Sequence, residues 1–107
     1  LALVTGSPGG RTIINTVLGI VLGVTEFGLT GREAVDAPRM HHQWLPDSTT
    51  LEQDSIPPGT VTRLREMGHA VKVQGRQGDA HSIWVDPKSG MAFGVNDRRS
   101  ADSKASK

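Results

Sequence analysis

The chain has 107 residues, one small domain or part of a larger one, and 36% hydrophobic content argues against disorder over its whole length. Twelve Lys and Arg against eleven Asp and Glu leave a net charge of +1, so no long-range field steers it onto nucleic acid or anionic lipid. Without cysteine, disulfide frameworks, thiolate catalysis and cysteine-ligated zinc are excluded. Four residues are aromatic, Phe27, Trp44, Trp84 and Phe93, so an independent core would be thin.

Leu1 to Thr5 is a short apolar run that predicts a buried strand. A strand at the very start needs neighbours, which raises the expectation of further sequence upstream. Gly6-Ser7-Pro8-Gly9-Gly10 then predicts a tight turn whose backbone is open to approach. From Arg11 to about Phe27, Ile13, Ile14, Val17, Leu18, Val21 and Leu22 recur at helical spacing, with Ile20 and Val24 between them. The polar face is narrow, which predicts a helix buried on most sides. Gly19 and Gly23 lie four apart in it. Each costs about 1 kcal/mol against alanine, which predicts close packing on another backbone. The uncharged run Thr12 to Thr25 is fourteen residues, short of the roughly twenty a membrane-spanning helix needs. It also lacks the flanks of a signal peptide.

Gly28 is expected to end this helix. Thr30-Gly31-Arg32-Glu33 is a capping-box pattern, opening a short helix through Ala37 that Pro38 stops. Arg39 to Leu45 reads as extended, with a turn at Pro46-Asp47 and a strand at Thr49 to Gln53. Pro57-Pro58-Gly59 introduces a third helix, about Thr60 to Met67, with Val61, Leu64 and Met67 on its apolar face and Gly68 at its end. Ala70 to Gln74 alternates as a strand, and Gly75 to Asp79 is a polar connection. His81 to Val85 and Met91 to Val95 predict a hairpin around Asp86-Pro87-Lys88-Ser89-Gly90. The residues after Asp97 are polar and aperiodic, read as a frayed tail. The class is α+β, with residues 1–99 as one segment and 100–107 as a disordered tail.

The strand, glycine turn and helix form the best chemical lead. Backbone N–H groups at a helix start favour phosphate, carboxylate or a developing oxyanion. The turn is not a P-loop, because Gly10-Arg11-Thr12 stands where Gly-Lys-Thr would be needed. Ser7 does not meet the G-x-S-x-G frame of a nucleophile elbow. A plain strand-to-helix turn explains the same residues and stays open at this point. Adjacent His41 and His42 point to opposite faces of a strand and cannot chelate one metal as a helical i, i+4 pair would. They, with His69 and His81, are read as packing and hydrogen-bonding residues. Arg32, Arg39 and Arg63 are read as ion-pair partners, and Trp84 as core.

Longer strings then match a known family. Leu3-Val4-Thr5-Gly6-Ser7-Pro8-Gly9-Gly10-Arg11-Thr12-Ile13-Ile14 resembles the glycine-rich segment of the gamma-glutamyltransferases, also called gamma-glutamyltranspeptidases or glutathione hydrolases. Glu33-Ala34-Val35-Asp36-Ala37-Pro38-Arg39-Met40-His41-His42-Gln43-Trp44-Leu45-Pro46-Asp47, Gly68-His69 and Ala92 to Arg99 resemble later stretches in the same order. The resemblance covers residues 1–99. It implies the C-terminal part of a small subunit, within the αββα sandwich of N-terminal-nucleophile hydrolases.

The family precursor cuts itself into a large and a small subunit. The new N-terminal Thr serves as nucleophile and, through its amine, as base. That Thr has no counterpart here, nor do the Asp, Ser-Ser pair and lid that hold substrate, nor the large-subunit arginine. The resemblance implies that Gly9 and Gly10 donate backbone N–H groups to the oxyanion. It implies no metal or organic cofactor. The implied partners are the remainder of the small subunit, the large subunit and a gamma-glutamyl substrate such as glutathione. It implies a periplasmic or secreted location, an inactive chain when isolated, and self-association covering Ile13, Val17 and Val21. Asn96-Asp97-Arg98 departs from the usual Ser-Asp-Pro, and Ala105-Ser106-Lys107 from Ala-Gly-Tyr, which bears on the last strand and terminus rather than on the turn. The alternatives are a related amidohydrolase, acting on beta-lactam side chains or poly-gamma-glutamate, and a non-catalytic interaction domain.

Overall fold

The computed structural model describes residues 1–53 and 56–101. Most of the expected 100–107 tail lies outside the described residues. Strand β1 (Leu3–Gly6) leads through the glycine turn and one 3-10 turn (Gly10–Thr12) into helix α1 (Ile13–Thr25). Then follow α2 (Gly31–Asp36), β2 (Met40–His41), β3 (Thr49–Glu52), α3 (Pro58–Glu66), β4 (Val71–Gln74), β5 (His81–Val85) and β6 (Ala92–Asn96). The strands form two three-stranded sheets, ordered β1-β5-β6 and β2-β3-β4. The first is antiparallel throughout, with Thr5 opposite Ser82 and Ser82 opposite Val95. In the second, β2 and β3 are antiparallel while β3 and β4 are parallel. The parallel pair needs a crossover, and α3 supplies it.

Period-2 alternation divides the first sheet into two faces. Ser82 and Val95 are buried on one face, beneath α1 and α2. The Thr5 and Ser82 hydroxyls satisfy each other there at 2.8 Å. Val4 and Ile83 sit opposite each other on the other face and remain exposed. The core is Ile20, Ala34, Val35, Ala80 and Val95, with Leu3, Val24 and Leu29 packed against it. It is as thin as the aromatic count predicts. Trp84 is half-buried and stacks at a tilt on Phe93, their ring centroids 5.9 Å apart.

Glycine spacing acts where α2 crosses its neighbours. A Cβ on Gly31 would fall 2.4 Å from the Trp84 Cβ, so α2 rides directly on β5. A Cβ on Gly23 would meet the Ala34 Cβ at 3.0 Å, which is the close helix approach expected from the sequence. Gly19 has open space around it, and that half of the expectation does not hold. The capping box forms as predicted. Glu33 N–H donates to Thr30 Oγ1 at 3.2 Å, and Thr30 N–H donates to Glu33 Oε2 at 2.8 Å.

Helix α1 is buried less than its composition predicts. Thr16, Ile20 and Gly23 face inward. Ile14, Leu18 and Leu22 form an exposed apolar stripe, with Ile14 at 76%. The core here is one-sided, so it covers only one flank of an almost wholly apolar helix. No helix among the described residues is long and apolar enough to cross a membrane. In α3, Val61 and Leu64 are half-buried, but Met67 is exposed. The helix starts at Pro58, earlier than expected, and Met67 falls past its last turn.

The stretch after Asp97 also departs from expectation. Arg99 is mostly buried, not frayed, because acceptors at Val35, Ala37 and Glu52 converge on its guanidinium. Arg32 joins α2 to the last strand, donating to Asp36 Oδ1 at 2.8 Å and to the Asn96 carbonyl.

Candidate functional site

The turn begins where β1 ends. Gly9 adopts φ 135°, ψ 14°, and Gly10 φ 57°, both in the left-handed half of backbone space. Glycine is required most strictly at Gly9, where a Cβ would lie 2.6 Å from Thr12 Oγ1. Thr12 closes the turn, its N–H and Oγ1 both donating to the Gly9 carbonyl at 3.2 and 3.0 Å. At Gly10 nothing lies within 4 Å of where a Cβ would stand, so that side of the turn is open. Neither glycine N–H finds a protein acceptor among the described residues. Two unengaged donors at the start of a helix are an arrangement that can hold an anion.

Ser7 braces the turn. Its Oγ donates to the Pro8 carbonyl at 2.7 Å and accepts the Asp79 N–H at 3.0 Å. The 77–80 segment thereby becomes the wall behind the turn. Gly78, at φ 75°, lies wedged against Thr16, Arg39 and Ser7.

That wall hangs on four charged side chains, Arg39, Glu52 and Asp97 buried and Arg99 largely so. Asp97 is 0% exposed and accepts from Arg39 Nη1 at 2.6 Å, Ala80 N–H at 2.8 Å, and Arg99 N–H and Nη1 at 3.0 and 3.2 Å. Glu52 accepts from Arg39 N–H, Gln77 N–H, Arg99 Nε and Arg99 Nη2, all between 2.6 and 2.9 Å. The arginines also reach backbone carbonyls. Arg39 donates to Gln77 and Val35, and Arg99 to Val35 and Ala37. The end of α2, the start of β2, the end of β3, the wall and the residues after β6 are joined at one point.

Burial by itself raises the carboxyl pKa of Glu52. The Arg99 hydrogen bond and the Gln77 and Arg39 N–H groups outweigh it and hold the carboxyl below its usual range. Burial likewise raises Asp97, and the Ala80 and Arg99 N–H groups with Arg39 outweigh it. Burial pulls Arg39 below its ordinary value, while Glu52 and Asp97 carry Arg99 above its own despite burial. Both carboxyl pKa values are depressed on folding, so the unfolded chain binds more protons in acid. Their stabilisation is complete above the unfolded carboxylate range, about pH 4, and is lost as pH falls through the folded values. Urea unfolding midpoints are therefore expected to hold from neutral pH down to about pH 5 and to fall steeply below pH 4. A midpoint that rises on acidification would contradict this network.

His41, His42 and His81 meet polar partners, in line with the sequence reading. His41 lies between Asn15 and Gln43, at 2.7 and 2.9 Å. His42 Nε2 reaches Asp47 at 3.1 Å, and His81 Nε2 lies 3.5 Å from Asp79. Arg39 is an intersegment ion-pair partner, as expected, but a buried one. Sequence reasoning missed Glu52, Asp97 and Arg99 as a unit. No periodicity marks them, because each carries a charge at a position the fold buries.

The family model for gamma-glutamyltranspeptidase matches residues 1–106. The chain belongs to the gamma-glutamyltranspeptidase family. It is 45% identical over 100 residues to the glutathione hydrolase proenzyme of Escherichia coli, covering 94% of this chain and 17% of that protein. Among solved structures, a mutant gamma-glutamyltranspeptidase of Helicobacter pylori matches with a TM-score of 0.86 and 39% identity, over 92% of this chain and 54% of that one. The Pseudomonas nitroreducens gamma-glutamyltranspeptidase complexed with L-DON matches at 0.85 and 29%, over 99% and 55%. This gamma-glutamyltranspeptidase segment therefore spans 17% of the length of its Escherichia coli relative. Its helices and two sheets are an α+β part of the N-terminal-nucleophile hydrolase sandwich of those structures.

Proposed function

We propose that this chain supplies the oxyanion-binding turn of a gamma-glutamyl transfer enzyme, with Gly9 and Gly10 donating their backbone N–H groups. The observation that carries this reading is the turn itself: two left-handed glycines with unengaged N–H groups, open on one side and braced on the other. The threonine nucleophile belongs to the rest of the precursor. Its hydroxyl oxygen bonds to the gamma-glutamyl carbonyl carbon, and the hydroxyl proton passes to its own amine. The carbonyl oxygen takes up the electron pair and is held by the two N–H groups. The oxyanion then collapses, the C–N bond breaks, and the leaving amine takes the proton. Water or an acceptor amine next attacks the ester, releasing glutamate or a new gamma-glutamyl compound and restoring the threonine. Glutathione-like donors fit this sequence.

The turn is silent on whether the donor is glutathione, poly-gamma-glutamate or a beta-lactam side chain. The 45% identity to a glutathione hydrolase favours the first. A chimera carrying this chain in place of the matching segment of the Escherichia coli protein is expected to release p-nitroaniline from gamma-glutamyl p-nitroanilide. The 107-residue chain alone is expected to release none. A chimera that cleaves into subunits yet does not turn over would overturn the proposal.

In the assembled enzyme the remaining small-subunit and large-subunit residues cover the Ile14, Leu18 and Leu22 stripe. In isolation that stripe drives self-association, with half-buried Val17 and Val21 at its border. Sedimentation of the isolated chain should shift with concentration, and a monomer at every concentration would count against this.

A further inference from the structure

Asn15 stands in the first turn of α1, five positions after Gly10, and is half-buried with His41 of β2. Its Nδ2 lies 2.7 Å from His41 Nδ1 and donates to the His42 carbonyl at 3.0 Å. A carbonyl oxygen only accepts, so the atom facing it is the amide nitrogen. The same nitrogen faces His41 Nδ1, which is therefore the acceptor. On the other side of the ring, Gln43 Nε2 donates to the Leu45 carbonyl at 2.9 Å. That bond turns Gln43 Oε1 toward His41 Nε2 at 2.9 Å, so Nε2 must carry the proton. Two backbone carbonyls thus fix both neighbours of the ring, and with them its tautomer.

We propose that neutral His41, protonated at Nε2, is a positioning residue that ties the first turn of α1, and through it the glycine turn, to the 40–47 loop. The proposal rests on the reading of Gly9 and Gly10 as oxyanion donors. Ser7 and Asp79 hold the turn from its upstream side, and Asn15 and His41 hold it from downstream. The 40–47 loop is firm enough to serve as an anchor. His42 Nδ1 accepts the Trp44 N–H at 3.1 Å and its Nε2 meets Asp47, while Leu45 N–H donates to the Gln43 carbonyl at 2.8 Å. These bonds hold Trp44 at φ 69°, which a bulky residue adopts only when its surroundings impose it.

A second proton on His41 would place an N–H against the Asn15 amide, donor to donor, and open the tie. Among the described residues, the groups that face the ring are uncharged or engaged elsewhere. From α1 it meets the uncharged Asn15, and from β3 it stands opposite Thr50. In its own loop it meets Gln43, and the charge of Asp47 lies with His42. Glu52, farther along β3, is engaged by Arg99 and by two backbone N–H groups. Arg39, two residues before it, is engaged by Asp97.

The test has a spectroscopic arm and a kinetic arm. Histidine-labelled nitrogen spectra of the 107-residue chain and of the chimera should show His41, assigned by its loss in His41→Asn, as the Nε2–H tautomer. An Nδ1–H tautomer or a freely averaging ring overturns the proposal. In the chimera, Asn15→Leu should lower kcat about ten-fold with KM little changed, because it removes the bonds to both His41 and the His42 carbonyl. His41→Asn offers Asn15 an amide oxygen as acceptor in place of Nδ1. It should therefore keep kcat near the parent value, where Asn15→Leu does not. A His41→Asn enzyme whose kcat falls as far as that of Asn15→Leu overturns the proposal. Gly9→Ala separates the two readings. If it leaves kcat intact, the oxyanion assignment has failed, while the nitrogen spectra still decide the tautomer.

Discussion

Asp97→Ala is expected to leave the chain largely unfolded at room temperature. The carboxylate is fully buried and accepts four hydrogen bonds, two from guanidinium groups and two from backbone N–H groups. Its removal strands Arg39, which is 6% exposed, beside the largely buried Arg99. Breaking one half of a buried ion pair typically costs about 3–5 kcal/mol, because the surviving charge is neither solvated nor paired. Small domains hold only about 5–15 kcal/mol in total, and this one has a thin core. Asp97→Asn is the informative comparison. It keeps an acceptor for Ala80 N–H but removes the charge, so a smaller loss is expected. Replacing both Arg39 and Asp97 by leucine should recover part of the loss. Recovery is incomplete, because the Val35 and Gln77 carbonyls lose their Arg39 donor. Urea unfolding of the three variants checks the order. A cost under about 1 kcal/mol for Asp97→Ala would show that the network does not hold the fold.

The same residues mark where sequence reasoning succeeds and where it stops. Local chemistry was legible. Thr30 and Glu33 announce their capping box, Gly90 its hairpin, and Gly6 to Gly10 a turn between strand and helix, because each signal involves neighbours in sequence. The α+β class follows from those elements. The junction of Arg39, Glu52, Asp97 and Arg99 was not legible, because its members come from segments far apart in the chain and meet only once both sheets exist. Arg99 reads as part of a polar tail for that reason. The exposure of Ile14, Leu18 and Leu22 was hidden by the opposite fault. Periodicity reports what a helix is able to bury, while the neighbours present decide what it does bury. At the site, the glycines pointed to the turn, but nothing in sequence showed that Ser7, Asp79, Asn15 and His41 brace it.

Gly9→Ala in the chimera is expected to lower kcat about 10²–10³-fold with little change in KM, the loss typical when one oxyanion donor is removed. The physical reason is twofold. A residue with a side chain does not settle at φ 135°, ψ 14°, and its Cβ would press within 2.6 Å of Thr12 Oγ1. The turn must reopen, and the Gly9 and Gly10 N–H groups shift from their present positions. The substrate carbonyl in its ground state needs those donors less than the oxyanion does, so the loss falls on kcat. Gly10→Ala supplies the contrast. Gly10 sits at φ 57°, which alanine adopts at a cost of about 1–2 kcal/mol, and no neighbour lies within 4 Å of the added methyl. Its backbone N–H survives, so a milder loss is expected. Both variants must be compared as material already cleaved into subunits, so that failed processing is not counted as failed catalysis. A Gly9→Ala enzyme whose kcat stays within about two-fold of the parent would remove the turn from the chemistry, since an oxyanion donor is worth far more than that.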